Sequence, residues 1–281
     1  MTALALPRSR NRLLQFARIA LALLAAGYLA AATYMATYQR SFLYKVAPAW
    51  IAPEGQNIPR AESYRLKMAD GTTLAGWRVP AAREDALTYL YFHGNANGLD
   101  RRAGRFRLMT ADGSGLVALS YRGYGGSEGT PNEAALHADA AAIYAELTKA
   151  IPPERIVIFG ESLGSGVATN LARKVKAKAV ILDSPYQSVL ARAQAEYPWL
   201  PVSLILMDSF RSDLWIGETK APVFIMHGSA DRTIPPDDSE KLAGFAKPGT
   251  VIRKLYLGQP HVVPYDKGPD RDIPAFLAAL K

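Results

Sequence analysis

One stretch, residues 155–169, limits what this chain can fold into more than any other. Residues 156–159 are β-branched or aromatic, which predicts a buried strand of a parallel sheet. A G-x-S-x-G sequence centred on Ser162 follows directly, and apolar residues then recur at helical spacing from Val167. A strand, a tight turn and a helix in succession would lift Ser162 out of the sheet, beside the free N–H groups of a helix N-terminus. The pattern predicts that Ser162 is a nucleophile, provided that an acid and a histidine follow it.

The N-terminal region predicts a membrane anchor. Residues 19–39 carry no charge, and a helix of these 21 residues spans roughly 30 Å, the hydrocarbon core of a bilayer. Residues 1–18 hold four arginines and no acid, so the positive-inside rule places them in the cytoplasm and the body of the protein outside, in the periplasm if the source is bacterial. A cleaved signal peptide, with an A-x-A site at residues 30–32, is the alternative. The flanking arginines disfavour a buried helix of a soluble protein.

The net charge of +8 comes mostly from this N-terminal region. Residues 1–53 contain six basic residues and no acid, which leaves 27 basic against 25 acidic residues in the rest of the chain. This distribution predicts no nucleic-acid-binding patch. The chain has no cysteine, which excludes disulfides, thiol catalysis and cysteine-ligated metals, and its four histidines form no metal-binding motif. We therefore predict neither a metal nor a cofactor.

The rest of the chain alternates apolar strands with helices. This order predicts an α/β fold, a mostly parallel sheet with helices on both faces. Residues 40–59 are proline-rich and predict a linker, and residues 60–281 predict one catalytic domain that opens with an antiparallel hairpin turning at Asp70-Gly71. An apolar excursion at about residues 184–213 predicts a short lid. Its side chains either pack on the sheet or form a pocket for an acyl chain, and the sequence does not separate these alternatives.

Several motifs together carry a resemblance to a known family. They are FHGN at residues 92–95, YRGYGGS at 121–127, GESLG at 160–164, IMHGSAD at 225–231 with IP at 234–235, and a late histidine at 261. On these motifs the chain resembles the α/β-hydrolases from about residue 60 to the C-terminus. With an N-terminal anchor and QRSFLY at residues 39–44, it resembles the membrane-anchored, ABHD-type serine hydrolases, a group that includes esterases and acyl-protein thioesterases. The resemblance implies a triad in the order serine, acid, histidine.

The base of such a triad has four candidates. His137 precedes the nucleophile within a predicted helix, which is typical of a surface residue. His93 and His227 each end a strand before a glycine, as structural His-Gly turns do, and both precede the predicted acid. His261 alone follows a late strand, so we predict that it is the general base. The family pattern usually has Asn or Asp after this histidine, whereas this chain has Val262.

The acid and the oxyanion donors follow from the same resemblance. Asp231 closes the IMHGSAD motif just past a strand, where the resemblance places the triad acid. Asp183, at the end of the strand after the nucleophile, is the alternative that some relatives use. The predicted oxyanion donors are two backbone N–H groups, those of Leu163 and Asn95.

A serine nucleophile in this setting favours acyl esters, thioesters or amides as substrates over haloalkanes or epoxides. We therefore predict a membrane-anchored serine hydrolase that works through an acyl-enzyme intermediate. A peptidase-like amidase on the same scaffold is one alternative. A catalytically silent α/β-hydrolase that serves as a binding module is another, which the changed context of His261 keeps open. Acyl-chain length and oligomeric state stay open at this point.

Overall fold

One eight-stranded sheet forms the centre of the residues that the structure describes. The structure is a computed structural model that describes residues 8–280, with side chains from residue 12 onward; residues 1–7 of the predicted basic segment and residue 281 lie outside the described residues. The strands are β1 (Glu62–Lys67), β2 (Thr73–Val79), β3 (Thr88–Phe92), β4 (Gly115–Leu119), β5 (Ile156–Glu161), β6 (Ala179–Asp183), β7 (Val223–Gly228) and β8 (Val251–Tyr256). Their order in space is β1-β2-β4-β3-β5-β6-β7-β8.

The sheet is parallel from β4 to β8 and antiparallel at one edge. Strand β1 pairs with β2 across the predicted turn at Asp70-Gly71, where Gly71 adopts a φ of +88° that favours glycine. Strand β2 pairs antiparallel with β4, and the remaining pairs are parallel. Every residue of β3 to β7 is buried, because helices cover both faces of the sheet. The predicted α/β-hydrolase sheet is confirmed.

Nine α-helices accompany the sheet within residues 8–280. They are α1 (Arg8–Leu43), α2 (Ala103–Met109), α3 (Glu133–Leu147), α4 (Leu163–Ala172), α5 (Val189–Glu196), α6 (Val202–Ile205), α7 (Ser212–Trp215), α8 (Pro236–Gly244) and α9 (Pro269–Ala279). Apolar side chains of α3, α4 and α8 pack on one face of the sheet. Those of α2 and α9 pack on the other face, so the core forms two layers separated by the strands.

Helix α1 is longer than the predicted span of residues 19–39. Its 36 residues extend about 54 Å, well beyond the thickness of a bilayer core. Within the described residues, it is the one helix that is long and apolar enough to cross a membrane. The helix continues into the predicted linker because residues 40–43 contain no proline or glycine, and it ends where Tyr44 turns into the core.

The predicted lid forms three short helices, α5, α6 and α7, and it lies against α1. The side chain of Gln39 donates to the carbonyl of Ile205 at 2.9 Å and accepts from the N–H of Met207 at 2.7 Å. The guanidinium of Arg40 pairs with the carboxylate of Asp208 at 2.9 Å. The lid therefore packs on the N-terminal helix as well as on the sheet, a contact that the sequence did not predict.

Candidate active site

The predicted nucleophile lies on a strained turn between β5 and α4. Ser162 has a φ of +50°, a conformation that costs a residue with a side chain about 1 kcal/mol or more. The two glycines of the motif make this turn possible, because a Cβ at Gly160 would lie 2.6 Å from the carbonyl oxygen of Gly164 and one at Gly164 would lie 2.8 Å from that of His93. Helix α4 begins at Leu163, directly after the serine and four residues earlier than the predicted Val167.

The structure brings the three predicted triad residues together at the carboxyl ends of the parallel strands. The Nε2 atom of His261 lies 2.9 Å from the Oγ atom of Ser162. The Nδ1 atom of the same ring lies 2.7 Å from an Oδ atom of Asp231. These distances are those of hydrogen bonds, and they link residues that are 99 and 30 positions apart in the chain. Their catalytic role stays a prediction.

Asp231 is held as a carboxylate. Burial alone would raise the pKa of Asp231, but hydrogen bonds from His227 and His261 outweigh it, and the net pKa is well below the usual range. Its Oδ1 atom accepts the N–H groups of Thr233 and Ile234 at 2.8 and 2.9 Å. The Oδ2 atom is left to face the imidazole rings, so this residue can orient a base and stabilise it when it becomes charged.

His227 contributes to the site in a way that the sequence did not predict. Its Nε2 atom lies 3.1 Å from Oδ2 of Asp231 and 3.0 Å from the carbonyl oxygen of Ile234. Both partners are acceptors, so Nε2 carries the hydrogen and donates it, and the buried Nδ1 atom has no partner among residues 12–280. His227 therefore helps to fix the Asp231 carboxylate from behind. The four-residue spacing of the two side chains in the IMHGSAD motif was the available signal.

The alternative acid, Asp183, does not contact His261 but supports the loop that carries it. Its carboxylate pairs with Arg105 at 2.5 Å and accepts the N–H of Val263 at 3.2 Å. The same arginine donates to the carbonyl of Val263 at 2.5 Å. Asp183 and Arg105 thus hold the chain two residues after the histidine, and Asp231 is the acid beside the imidazole.

The unusual valine after the histidine occupies a strained position. Val262 has a φ of +60°, a conformation that Asn and Asp tolerate and a β-branched residue disfavours. Its N–H donates to Oγ of Ser184 at 3.0 Å, which helps to hold the turn in place. At the end of β7, Gly228 permits the loop that carries His261 to approach the strand, because a Cβ at this position would lie 2.6 Å from the carbonyl carbon of Gln259. Val262, which stands where the family pattern has Asn or Asp, therefore leaves His261 within hydrogen-bonding distance of Ser162.

The predicted oxyanion donors both line the same cavity as Ser162. The N–H of Leu163 is in the first turn of α4, where the helix supplies no acceptor. The N–H of Asn95 donates to no acceptor among the described residues, whereas the carbonyl of Asn95 accepts from the hydroxyl of Tyr124 at 2.8 Å. Both N–H groups therefore belong to residues that line the Ser162 cavity and have no acceptor among the described residues, and their role as oxyanion donors stays a prediction.

The cavity over Ser162 is mostly apolar and has a volume of about 320 Å³. This is at the lower end of the range for small-molecule sites, roughly 300–1,000 Å³. Its walls come from the lid and from the end of α1, and the apolar lining residues of the lid are Val189, Ala193, Leu200, Val202, Ile205 and Leu206. The pocket interpretation of the lid therefore fits the structure better than simple packing on the sheet.

The two remaining histidines make no hydrogen bond to Ser162 or Asp231 within the described residues. His93 is buried, and its Nε2 atom accepts the N–H of Tyr121 at 3.1 Å; burial lowers the pKa of its ring to about 3. His137 is not a surface residue, as the sequence suggested, but is half-buried and packs edge-on against Phe210 and Trp215. The reason is that α3 packs beside the lid, a long-range contact that its sequence does not reveal. Within the described residues, no cluster of His, Asp and Glu could hold a metal ion.

A buried ion pair lies directly under the nucleophile. Glu161, the residue before Ser162, pairs with Arg102 at 2.5 Å and also accepts hydrogen bonds from the hydroxyl of Tyr91 and the N–H of Gly94. Burial alone would raise the pKa of Glu161, but the positive charges of Arg102 and Arg105 lower it to about 2. The folded pKa is below the unfolded value of roughly 4.3, so this pair stabilises the fold above that pH, and the contribution is lost as the pH falls toward 2.

Replacing Arg102 with methionine should destabilise the fold by about 3–5 kcal/mol, because Glu161 would stay buried without a counter-ion. Denaturant unfolding at neutral pH measures this loss. Arg101→Met is the matched control, since Arg101 is adjacent and exposed, and its free energy of unfolding should change by about 0.5 kcal/mol or less. Equal stability of the two variants would contradict the role given to the pair.

Comparison with known proteins agrees with the fold. The family model described as serine aminopeptidase, S33, matches residues 86–219, which include Ser162. An uncharacterized protein of Mycobacterium tuberculosis is 32% identical over 228 residues, and the match covers 80% of each chain. The lysophosphatidylserine lipase ABHD12 of Danio rerio is 30% identical over 232 residues, which cover 69% of this chain and 61% of that protein. The chain belongs to the α/β-hydrolase superfamily.

Solved structures support the same α/β-hydrolase fold. The esterase Pf2001 of Pyrococcus furiosus superposes with a TM-score of 0.65 at 19% identity, and the match covers 84% of this hydrolase and 99% of the esterase. Est1E of Butyrivibrio proteoclasticus, solved with ferulic acid bound, superposes with a TM-score of 0.64 at 16% identity and 77% coverage of this chain. Together with the family model and the relative ABHD12, this fold identifies the chain as an enzyme of the hydrolase class with ABHD-type relatives.

Proposed function

We propose that this hydrolase cleaves acyl esters through a Ser162-Asp231-His261 triad. The observation that carries the proposal is the pair of short hydrogen bonds at His261, 2.9 Å to the serine hydroxyl and 2.7 Å to the buried carboxylate. The two free backbone donors beside the hydroxyl support it further. A silent binding module has no physical need for this alignment, which contains a strained residue at Ser162 and another at Val262.

The residues would act in sequence. His261 takes the proton of the Ser162 hydroxyl through Nε2 while the Oγ atom bonds to the acyl carbon, and the negative charge that forms on the carbonyl oxygen is held by the N–H groups of Asn95 and Leu163. The carbon–oxygen bond to the leaving alcohol then breaks, and His261 returns the proton to that alcohol. Water repeats the same steps, which gives the free acid and restores Ser162. Asp231 stabilises the imidazolium in both halves of the cycle.

An ester with a hydrocarbon chain suits the cavity best. Its walls are apolar, and it opens from Ser162 toward the lid and α1. The relative ABHD12 is a lysophosphatidylserine lipase, a name that supports single-chain lipid esters as the substrate class. A thioester would react by the same steps, because only the leaving group differs.

The proposal includes membrane anchoring through α1. This helix has the length and composition of a membrane span. Its exposed aromatic side chains Tyr34, Tyr38 and Phe42 lie on one face of the helix, near the end that leads into the catalytic domain, where an aromatic belt would lie. The arginines before residue 19 favour a cytoplasmic N-terminus and a catalytic domain on the opposite side.

The function can be tested on the full chain in detergent. A fluorophosphonate probe, which reacts only with an activated serine, should label Ser162, and p-nitrophenyl esters should be hydrolysed. Absence of labelling together with absence of ester hydrolysis would favour the silent module. The family description as a serine aminopeptidase makes an amidase the second candidate. Faster cleavage of aminoacyl p-nitroanilides than of the esters would favour it over the proposed esterase.

A further inference from the structure

The end of helix α1 is part of the cavity that contains Ser162. Five of its residues line this cavity, on the side opposite the lid: Met35, Gln39, Arg40, Phe42 and Leu43. The more buried positions of the helix recur at three- and four-residue spacing, which defines one face turned toward the domain. The helix that would anchor the protein therefore also forms a wall of its active site.

Direct contacts hold this wall against the lid. The two hydrogen bonds of Gln39 join α1 to the backbone of the lid on both sides of Leu206. Asp208 accepts from the guanidinium of Arg40 and from the hydroxyl of Tyr44 at 3.1 Å. Farther along the helix, the hydroxyl of Tyr28 donates to the carbonyl of Trp199 at 3.2 Å. The cavity is thus closed between two elements that are fastened to each other.

The end of α1 also holds the loop that carries an oxyanion donor. The side-chain amide of Asn95 donates to the carbonyl of Leu43 at 3.0 Å, and the N–H of Lys45 donates to the carbonyl of Asn95 at 3.0 Å. The end of the cavity that would receive the ester carbonyl of the substrate, at Ser162 and Asn95, is therefore fixed next to Leu43. Met35 lies two helical turns away along α1, a distance of about 12 Å.

The position of α1 in the proposed membrane favours a hydrocarbon chain as the ligand of this cavity. If the bilayer core of about 30 Å begins after Arg18, the last charge before the apolar run, it ends near Gln39. The lid meets α1 from Tyr28 onward, so the lid would lie at the depth of the leaflet nearest the catalytic domain. Its exposed apolar side chains agree with that depth: Trp199 is 52% exposed, Met207 64% and Leu204 84%.

We propose that the acyl chain of the substrate lies along α1 from Leu43 toward Met35, and that Met35 sets the length of chain that the enzyme accepts. The inference rests on the proposed function, since it assigns the acyl half of the same ester site. Helix α1 is then a specificity element, and its role differs from that of a simple tether.

The test is a chain-length series on the full chain in detergent, with p-nitrophenyl acetate at one end and p-nitrophenyl palmitate at the other. In Met35→Trp, a larger side chain would fill the far end of the cavity. We expect kcat/KM for palmitate to fall about tenfold or more, in line with the cost of a small misfit in an apolar pocket, while the value for acetate stays within about twofold. Tyr34→Trp is the matched control, since Tyr34 is adjacent and exposed, and it should match wild type on both esters.

The possible outcomes distinguish failure of the chain-length inference from failure of the proposed esterase function. If Met35→Trp matches Tyr34→Trp at every chain length, or loses acetate and palmitate activity equally while Ser162 still reacts with the fluorophosphonate, the wall does not select chain length and the inference is wrong. If Met35→Trp does not react with the probe, the smaller change Met35→Phe replaces it and is expected to lower palmitate activity selectively. Failure of wild type to hydrolyse any ester would instead refute the proposed function.

Discussion

Ser162→Ala should lower ester hydrolysis by roughly a millionfold, to the rate that binding and the oxyanion donors alone can give. The reason is that no other hydroxyl among the described residues is hydrogen-bonded to the His261 ring. Stability should change little, since the Oγ atom of Ser162 has His261 as its hydrogen-bond partner and alanine retains the Cβ atom. Measurement requires kcat for p-nitrophenyl butyrate together with thermal unfolding of both proteins.

Ser165→Ala provides the matched control for that experiment. Ser165 lies three residues further on in α4, it is buried, and its Oγ atom has no hydrogen-bond partner among residues 12–280. Its replacement removes a hydroxyl from the same helix without touching the imidazole, so activity should stay within a few-fold of wild type. Residual turnover above a thousandth of the wild-type rate in a purified, folded Ser162→Ala protein would mean that another group is the nucleophile.

Asp231→Asn should lower kcat by about ten-thousandfold while the fold is retained. The N–H groups of Thr233 and Ile234 would select the amide oxygen for the position of Oδ1, which turns the NH₂ group toward His261. That group donates to Nδ1, so the hydrogen of the ring moves to Nε2. An Nε2–H faces the Ser162 hydroxyl as a donor and cannot take its proton, and the new NH₂ group also opposes the donor of His227.

The control for this substitution is Asp237→Asn. Asp237 is an exposed acid at the start of α8 that pairs with Lys241 at 2.8 Å, and its loss should leave kcat unchanged. A drop of less than tenfold in a folded Asp231→Asn protein would remove Asp231 from the triad. Loss of the cooperative unfolding transition would indicate a structural role, so unfolding is measured beside kcat.

The sequence predicted most of the sheet and the three residues, Ser162, Asp231 and His261, whose side chains meet in the candidate site, but it did not predict the contribution of His227. Local signals were enough for these features: apolar runs for buried strands, glycines for the tight turn at Ser162, and the order of the acid and His261 after it. The choice of Asn95 came instead from the resemblance of the FHGN motif to the α/β-hydrolases.

Two of the features that the sequence did not predict depend on contacts between distant segments. The docking of Gln39 on the lid joins residues 166 and 168 positions apart. The half-buried state of His137 depends on helices that come together only after folding. The hydrogen bond of His227 to Asp231 is a local contact instead, because it joins residues four positions apart at the turn that follows β7. Periodicity reports which face of an element is apolar, and it carries no information about which distant element covers that face.

Helix α1 passes from the proposed membrane-spanning stretch into the catalytic domain without a break, so no flexible joint separates the two. A catalytic domain joined rigidly to such a helix stays at a constant height and tilt above the lipid surface. It therefore meets its substrates by diffusion within the plane of the membrane. Turnover should then follow the mole fraction of substrate in the surrounding membrane or micelle, and it should fall when inert lipid or detergent dilutes that surface at a fixed total substrate concentration.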